Sequence, residues 1–181
     1  MTNDPQATCR SIQEAISRPG ALMTLQEIQD PSPFGIACAA ILHALLDRST
    51  LVALFPPDEA KAEWLRERCD VPISQAREAD YCISEMAAWN WNIGDLCIGS
   101  DEAPETGATL ILEMPSLGDG PSLYLQGVGI GGSRRLSGRL NSDFLSFWKI
   151  NNRLYPCGID LIMRSNASFL CLPRTTRIET F

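Results

Sequence analysis

Residues 34–69, FGIACAAILHALLDRSTLVALFPPDEAKAEWLRERC, place a helix, a strand and a second helix in direct succession. The segment Phe34 to Asp47 is apolar on most sides, which predicts a helix buried in the core. The run Thr50 to Phe55 is short and apolar and is closed by two prolines, as is typical of a strand. The segment Asp58 to Cys69 predicts an amphipathic helix, and this alternation is typical of α/β proteins. Its inner side is expected to carry Ala60, Trp64 and Leu65.

The flanking segments predict two more helices and several strands. Residues 6–18 and residues 141–152 have the apolar period of helices. Their inner faces are expected to carry Cys9, Ile12, Ala15 and Ile16, and Phe144, Leu145, Phe147 and Trp148. Strands are predicted at residues 107–113, 122–126, 158–163 and 168–172. No crossover helix fits between the first two, so we expect an antiparallel hairpin there. The predicted fold is α/β, a three-layer mixed sheet with helices on both faces.

Length and composition predict one cytoplasmic domain that spans residues 1–181. The longest strongly apolar stretch, residues 34–46, is shorter than the ~20 residues that a membrane span needs. Residues 1–5 lack the basic and apolar regions of a signal peptide. The net charge of −7 argues against general nucleic-acid binding. Two alternatives stay open for the four tryptophans, which either fill the core or form an exposed patch that pairs subunits.

Charge is distributed unevenly along the chain. Residues 1–120 carry 19 acidic and 7 basic side chains, whereas residues 121–181 carry 3 acidic and 8 basic ones. Seven of those eight cations are arginines, whose planar fork suits phosphate and carboxylate groups. The last third is therefore a basic segment on an acidic body. It either binds an anion or pairs with the acidic half of the same protein or with a partner subunit.

The candidate anion-binding residues lie in two stretches of this basic third. One stretch follows a predicted strand and supplies Arg174, Thr175, Thr176 and Arg177. The other supplies Arg134 and Arg135, beside a glycine-rich turn that contains Gly127, Gly129 and Gly131. These residues could hold a phosphate-like group through charged side chains, hydroxyls and backbone amides. The alternatives are a solvated tail and a purely structural turn.

Cofactor, metal and catalytic signatures receive little support. Residues 127–132 match the spacing G-x-G-x-x-G, but no helix begins at once, and a second breaker, Ser137-Gly138, precedes the next helix. Both features argue against a dinucleotide site. The seven cysteines form no C-x-x-C pair, and His43 is the only histidine, so we expect no metal site. His43 lies among apolar residues, and Lys149 has no surrounding signature of a pyridoxal phosphate lysine. We therefore expect no cofactor and assign no catalytic residue.

Short motifs in a fixed order resemble the PhnH family of bacterial phosphonate metabolism, from about residue 10 to residue 178. The most specific is Leu172-Pro173-Arg174-Thr175-Thr176-Arg177 near the C-terminus. The others include Arg18-Pro19-Gly20, residues 45–50, 79–81, 104–109, 127–130 and 155–160, and the helix positions Phe144, Trp148 and Asn151. In the glycine turn the family usually has Gly-Pro-Gly-Ile, and this chain has Val128 in place of that proline.

The resemblance implies a fold similar to the large domain of pyridoxal-phosphate-dependent transferases, without the cofactor. It also implies a homodimer that joins PhnG, PhnI and PhnJ in the carbon–phosphorus lyase core complex. That complex displaces adenine from ATP with a phosphonate to give ribose 1-phosphonate 5-triphosphate. The expected role is scaffolding, with possible contact to ATP or phosphonate inside the complex. The alternative is a stand-alone α/β protein that binds a phosphate-like anion through its arginine-rich last third.

Overall fold

A computed structural model of the chain describes residues 5–25, 32–88, 90 and 92–180. Its α-helices are α1 (Pro5–Ser17), α2 (Ile36–Leu45), α3 (Glu59–Cys69) and α4 (Ser142–Arg153). Its strands are β1 (Met23–Thr24), β2 (Val52–Phe55), β3 (Tyr81–Glu85), β4 (Thr109–Glu113), β5 (Ser122–Gln126), β6 (Arg134–Ser137), β7 (Asp160–Ser165), β8 (Ser168–Leu172) and β9 (Arg177–Thr180). Short 3-10 helices occupy Met86–Ala88, Ile93–Asp95 and Pro104–Thr106.

A six-stranded sheet with the order β1-β8-β7-β4-β3-β2 forms the centre of the molecule. Strands β2, β3, β4 and β7 run parallel, whereas β8 is antiparallel to β7 and β1 is antiparallel to β8. The sheet is therefore mixed, as the sequence predicts. Strands β7 and β8 form a hairpin whose turn includes Asn166, at a positive φ of 51°.

The predicted hairpin between β4 and β5 is wrong. Strand β4 lies inside the six-stranded sheet, whereas β5 belongs to a separate antiparallel sheet with the order β6-β5-β9. Burial explains the separation. In β4, Leu110, Ile111 and Leu112 are all buried, as in a parallel strand that is covered on both faces. In β5 buried Leu123 and Leu125 alternate with half-buried side chains, which suits a sheet that is packed on one face.

Each face of the large sheet has its own core. Helices α1, α2 and α3 cover one face, where Ile12, Ile41 and Trp64 pack against sheet residues such as Ile111 and Phe169. Helix α4 and the three-stranded sheet cover the other face. Their buried side chains include Phe144, Phe147, Trp148, Leu123, Leu125 and Leu136. The prediction of helices on both faces is confirmed, with a second sheet sharing one of those faces.

Caps explain where two of the helices begin. The Asp58 carboxylate accepts a hydrogen bond from Lys61 N at 3.1 Å, and Asn141 Oδ1 accepts one from Phe144 N at 2.8 Å. Two predicted inward-facing residues are wrong. Ala60 is exposed on α3, where Ala62 is buried instead, and Ile16 is 50% exposed on α1. Ile16 follows buried Ala15 by one position, and Ala60 precedes buried Ala62 by two. Because a helix rotates by about 100° per residue, both side chains lie off the buried face.

Trp64 and Trp148 are buried, which supports the core alternative for these two, while Trp89 and Trp91 lie outside the described residues. Among the described helices, none has both the length and the apolar character that crossing a membrane requires. All seven cysteines are free thiols, and four of them are buried. Burial raises the pKa of Cys38 to about 11 and raises the pKa values of Cys82 and Cys171 to about 12.

These buried thiols predict a loss of stability at alkaline pH. In the unfolded chain the thiols ionise as the pH passes about 9, whereas in the folded protein Cys38, Cys82 and Cys171 stay protonated up to about pH 11–12. The stability that depends on their neutral form is therefore complete below pH 9 and falls above it. Each thiol should contribute up to about 1.4 kcal/mol per pH unit to that fall.

The measurement is urea unfolding from pH 8 to pH 10.5, for the wild type and for a variant with Cys38→Ala, Cys82→Ala and Cys171→Ala. The triple variant should lose stability less steeply with pH, whatever its stability at pH 8. Ile16→Ala, a substitution at an exposed and non-ionisable position of α1, is the control and should keep the wild-type slope. Equal slopes for the wild type and the triple variant would contradict the prediction.

Candidate functional site

Arg174 lies at the amino edge of the large sheet, which is the side where the parallel strands β2, β3, β4 and β7 begin. It contacts several loops there. Its guanidinium pairs with the Asp160 carboxylate, with Nη2 2.8 Å from Oδ2 and Nε 3.3 Å from Oδ1, and its backbone N–H donates to Oδ1 at 2.8 Å. Nη1 donates to the carbonyls of Pro104 at 2.6 Å and Pro156 at 3.4 Å, and Nη2 donates to the Gly107 carbonyl at 3.5 Å. The Arg174 side chain is 12% exposed. Its donors are thus used within the chain.

Close backbone packing surrounds this arginine. A Cβ on Gly107 would overlap the Gly158 carbonyl oxygen and would lie 2.9 Å from Arg174 Nη1, so only glycine fits at residue 107. Gly127 is held by a similar constraint, because a Cβ there would lie 2.7 Å from the Thr175 carbonyl oxygen. The glycine turn therefore packs directly onto the C-terminal motif.

The two threonines of the motif form the inner side of the same turn. Thr176 is fully buried, and its carbonyl accepts hydrogen bonds from Trp148 Nε1 at 2.8 Å and from Asn152 Nδ2 at 2.9 Å. Asn152 Nδ2 also donates to the Arg174 carbonyl at 2.8 Å. Trp148 and Asn152 of helix α4 thereby hold the turn in place. Thr175 is half-buried and contributes its carbonyl to the contact with the glycine turn.

Arg134 and Arg135 lie on strand β6, which follows the glycine-rich turn where a dinucleotide site would need a helix. Arg134 Nη1 donates to the carbonyls of Arg18 at 2.8 Å and Pro19 at 2.7 Å. These hydrogen bonds satisfy carbonyl groups that have no partner within helix α1. Arg135 Nε donates to Ser122 Oγ at 2.9 Å on the neighbouring strand. Gly129 lies against Ser17 and Pro19, while Gly131 has open space around it.

Arg177 is separate from the other candidates. It is exposed at the start of β9, on the far side of the buried Thr176, and faces a groove that also contains Lys149 and Arg153. The structure thus distributes the six candidate residues over three places instead of one pocket. Arg174, Thr175 and Thr176 build the amino-edge joint, Arg134 and Arg135 hold β6, and Arg177 is the one of the six that lines this groove.

Sequence reasoning missed a group of charged side chains at the opposite, carboxyl edge of the parallel strands. Glu85 ends β3 and Glu113 ends β4, and the two residues are direct partners in the sheet. Lys61 Nζ lies 2.6 Å from Glu85 Oε1, and Arg164 Nη2 lies 2.7 Å from Glu113 Oε2. The carboxyl edge is where open α/β sheets usually bind ligands. The available signal was an apolar strand that ends in glutamate, which occurs in both β3 and β4.

These carboxylates line a recess of about 260 Å³. Glu85 and Glu113 are each about 40% exposed, so both can accept hydrogen bonds from a small ligand while they remain paired. Arg164 is 2% exposed, and its Nε has no hydrogen-bond partner among the described residues. Arg164 therefore positions Glu113 from within the core, and its charge lies close to the buried Cys38 thiol.

The other sequence candidates for chemistry have ordinary surroundings. His43 is half-buried, with its ring 5.1 Å from the Trp64 ring and its Nδ1 4.0 Å from Cys69 Sγ. Lys149 is exposed on α4. Among the described residues no group of three His, Cys, Asp or Glu side chains is placed to hold a metal ion.

Comparison with known proteins identifies the family. The family model described as "Bacterial phosphonate metabolism protein (PhnH)" matches residues 1–179. The chain belongs to the PhnH family. It is 29% identical to the "Alpha-D-ribose 1-methylphosphonate 5-triphosphate synthase subunit PhnH" of Rhizobium meliloti (strain 1021), an alignment that covers 97% of this chain and 90% of that protein. It is also 29% identical to the "Putative C-P lyase subunit protein HtxG" of Stutzerimonas stutzeri, over 96% of this chain and 85% of that protein.

The motifs that carry the PhnH resemblance meet at the amino edge of the sheet. Residues 45–50, 79–81, 104–109 and 155–160 lead into β2, β3, β4 and β7, and the Arg174 motif leaves β8 at the same edge. Gly20, in the Arg18-Pro19-Gly20 motif, donates its N–H to the Cys171 carbonyl at 3.0 Å. These motifs therefore form a structural joint in this chain, and the charged carboxyl edge lies outside them.

The joint predicts that two arginines of one motif differ greatly in their effect on stability. Arg174→Ala should lower the free energy of unfolding by about 2–4 kcal/mol, because the Asp160 carboxylate loses its guanidinium partner and several loop carbonyls lose their donor. Arg177→Ala, the matched control three residues away, should change it by less than about 0.5 kcal/mol. Arg174→Lys should recover only part of the loss, because an ammonium cannot reproduce the guanidinium fork. Urea unfolding tests this, and similar losses for Arg174→Ala and Arg177→Ala would refute it.

Proposed function

We propose that this chain is the PhnH subunit of a carbon–phosphorus lyase core complex and acts in organophosphonate breakdown. The observation that carries the proposal is the family match over residues 1–179. The names of the two relatives support it, since one is called a ribose 1-methylphosphonate 5-triphosphate synthase subunit and the other a putative C-P lyase subunit. The reaction proposed for the whole complex is displacement of adenine from ATP by a phosphonate, which gives ribose 1-phosphonate 5-triphosphate.

The proposed role of the chain within that complex is assembly. The family motifs are used for internal contacts around Arg174, which suits a part that must hold a fixed shape for its neighbours. The proposed partners are PhnG, PhnI and PhnJ, and the proposed free state is a cytoplasmic homodimer. A likeness of the six-stranded sheet to the large domain of pyridoxal-phosphate-dependent transferases, without the cofactor, belongs to the same proposal.

A second candidate function is binding of a phosphate-like anion by the arginine-rich last third. Exposure favours Arg177 for this role, because Arg174 and Arg134 already donate to a carboxylate or to carbonyls within the chain. This candidate predicts that ATP raises the melting temperature of the isolated chain. The shift should be lost in Arg177→Ala and retained in Arg135→Ala, an exposed arginine on another strand.

Co-expression tests the assembly proposal. The tagged chain is produced together with PhnG, PhnI and PhnJ from the same genome and is captured, and the eluate is sized by light scattering. We expect a stoichiometric complex, and the chain expressed alone should have the mass of a dimer. A chain that elutes by itself under conditions where the other three subunits are soluble and associated would refute the subunit role. A monomer in the free state would refute the dimer alone.

A further inference from the structure

A groove of about 750 Å³ lies between helix α4 and strand β9. One wall is formed by α4 from Leu145 to Arg153, and the other is formed by all four residues of β9, Arg177–Thr180. Side chains alternate between the two faces of a strand, so a groove that touches four consecutive residues follows the strand's edge. The groove therefore runs along the outer edge of the three-stranded sheet.

That edge is open within the described part of the chain. Strand β9 is the last strand in the order β6-β5-β9 and pairs there with β5 alone. In an antiparallel ladder alternate residues direct both N–H and C=O away from the partner strand, so β9 presents unpaired backbone groups to the groove. Such an edge is a template for a further strand, and proteins recognise extended peptides by adding them in this way.

The groove also concentrates positive charge. Lys149 and Arg153 lie one helical turn apart on α4, and Arg177 lies on the opposite wall. All three are exposed, and none forms an ion pair or a side-chain hydrogen bond with another described residue. Glu179 is the carboxylate in the groove, which leaves a local excess of two positive charges. The whole chain carries −7, so this strip is distinct from the rest of the protein.

The geometry favours a peptide over a nucleotide. Phosphate groups bind well at helix N-termini, where N–H groups are free and the dipole is positive. Here α4 presents its last turn, which ends at Arg153, so this wall does not offer the N–H donors on which such a phosphate site depends. An added strand gains regularly spaced backbone hydrogen bonds along β9, over roughly 13 Å for four residues. Half-buried Leu145 and Ile178 give its apolar side chains a place to pack.

We infer that an extended, acidic segment of a partner subunit pairs with β9 as a fourth strand and places its carboxylates against Lys149, Arg153 and Arg177. Backbone pairing supplies the register, and the three cations select for Asp and Glu over basic residues. This inference rests on the proposed function, because the segment belongs to a subunit of the same complex. It adds to that proposal the surface that is used and the chemistry of the segment that binds there.

The first test measures affinity. The wild-type chain is immobilised and titrated with the purified assembly of the other subunits, and the titration is repeated with a variant carrying Lys149→Glu, Arg153→Glu and Arg177→Glu. Reversal of three cations in the groove should weaken association by at least about tenfold. The matched control carries Arg48→Glu, Arg66→Glu and Arg77→Glu, three exposed cations outside the groove, and should bind within about twofold of wild type. The neutral variant Lys149→Gln, Arg153→Gln, Arg177→Gln replaces the charge reversal if that protein fails to fold.

The second test measures hydrogen exchange, which reports strand addition directly. The backbone amides of residues 177–180 that face the groove should exchange at least about tenfold more slowly in the assembled complex than in the free chain. Cross-links from Lys149 should lead to a segment of a partner subunit that is rich in Asp and Glu. Slow exchange of the same amides in the free dimer, or slow exchange induced by ATP alone, would overturn the inference in favour of a second copy or a nucleotide.

Failure of the inference is distinguishable from failure of the proposed function. If the wild-type chain does not bind the other subunits at all, the proposed function fails, and the inference fails with it. If wild type and the groove variant bind equally well and the β9 amides are unchanged, the inference is overturned while the subunit role stands. Loss of binding in the groove variant together with protection of β9 supports the inference.

Discussion

The ion pair between Arg174 and Asp160 is the contact on which the two sheets of this protein depend. Asp160 begins β7, a central strand of the large sheet, and Arg174 follows β8 where the chain turns towards β9 of the small sheet. The same guanidinium binds the carbonyls that lead into β4 and β7. One side chain thus ties the end of the large sheet to the beginning of β9. Ordering a long side chain costs conformational entropy. Five hydrogen bonds donated by the Arg174 guanidinium offset that loss here.

This constraint divides the sheet into two unlike edges. At the amino edge, loops pack so closely that Gly107 and Gly127 leave no room for a Cβ, and the arginine donors are used internally. At the carboxyl edge, Glu85 and Glu113 are paired with cations but remain partly exposed beside a recess. A closely packed amino edge and a partly exposed carboxyl edge fit the proposed role in assembly, in which the chain keeps a fixed shape.

The sequence predicted the mixed α/β sheet and both covering layers, because apolar periods of helices and strands are local signals. It did not predict which strands pair, since β4 and β5 are adjacent in the chain but differ in burial on their two faces. Strands β6 and β9 were missed because Arg134–Ser137 and Arg177–Thr180 are short and polar. Arg174 and Arg177 look alike in the motif, and only the distant residues Pro104 and Asp160 make one of them structural.

The basic last third of the sequence therefore contains two kinds of cation. Some are paired with groups of the same chain, and others have no described partner. Arg164 and Arg174 have ion-pair partners within the chain, and Arg134 and Arg135 donate to a carbonyl pair and a hydroxyl. Arg139 lies 3.7 Å from the Asp119 carboxylate. The cations that remain without a described partner lie together in the groove beside β9. Like charges repel, so three neighbouring cations without partners raise the electrostatic energy of the free chain. Their concentration beside an open strand edge therefore favours an anionic occupant over simple solvation, and the backbone groups of that edge favour a peptide.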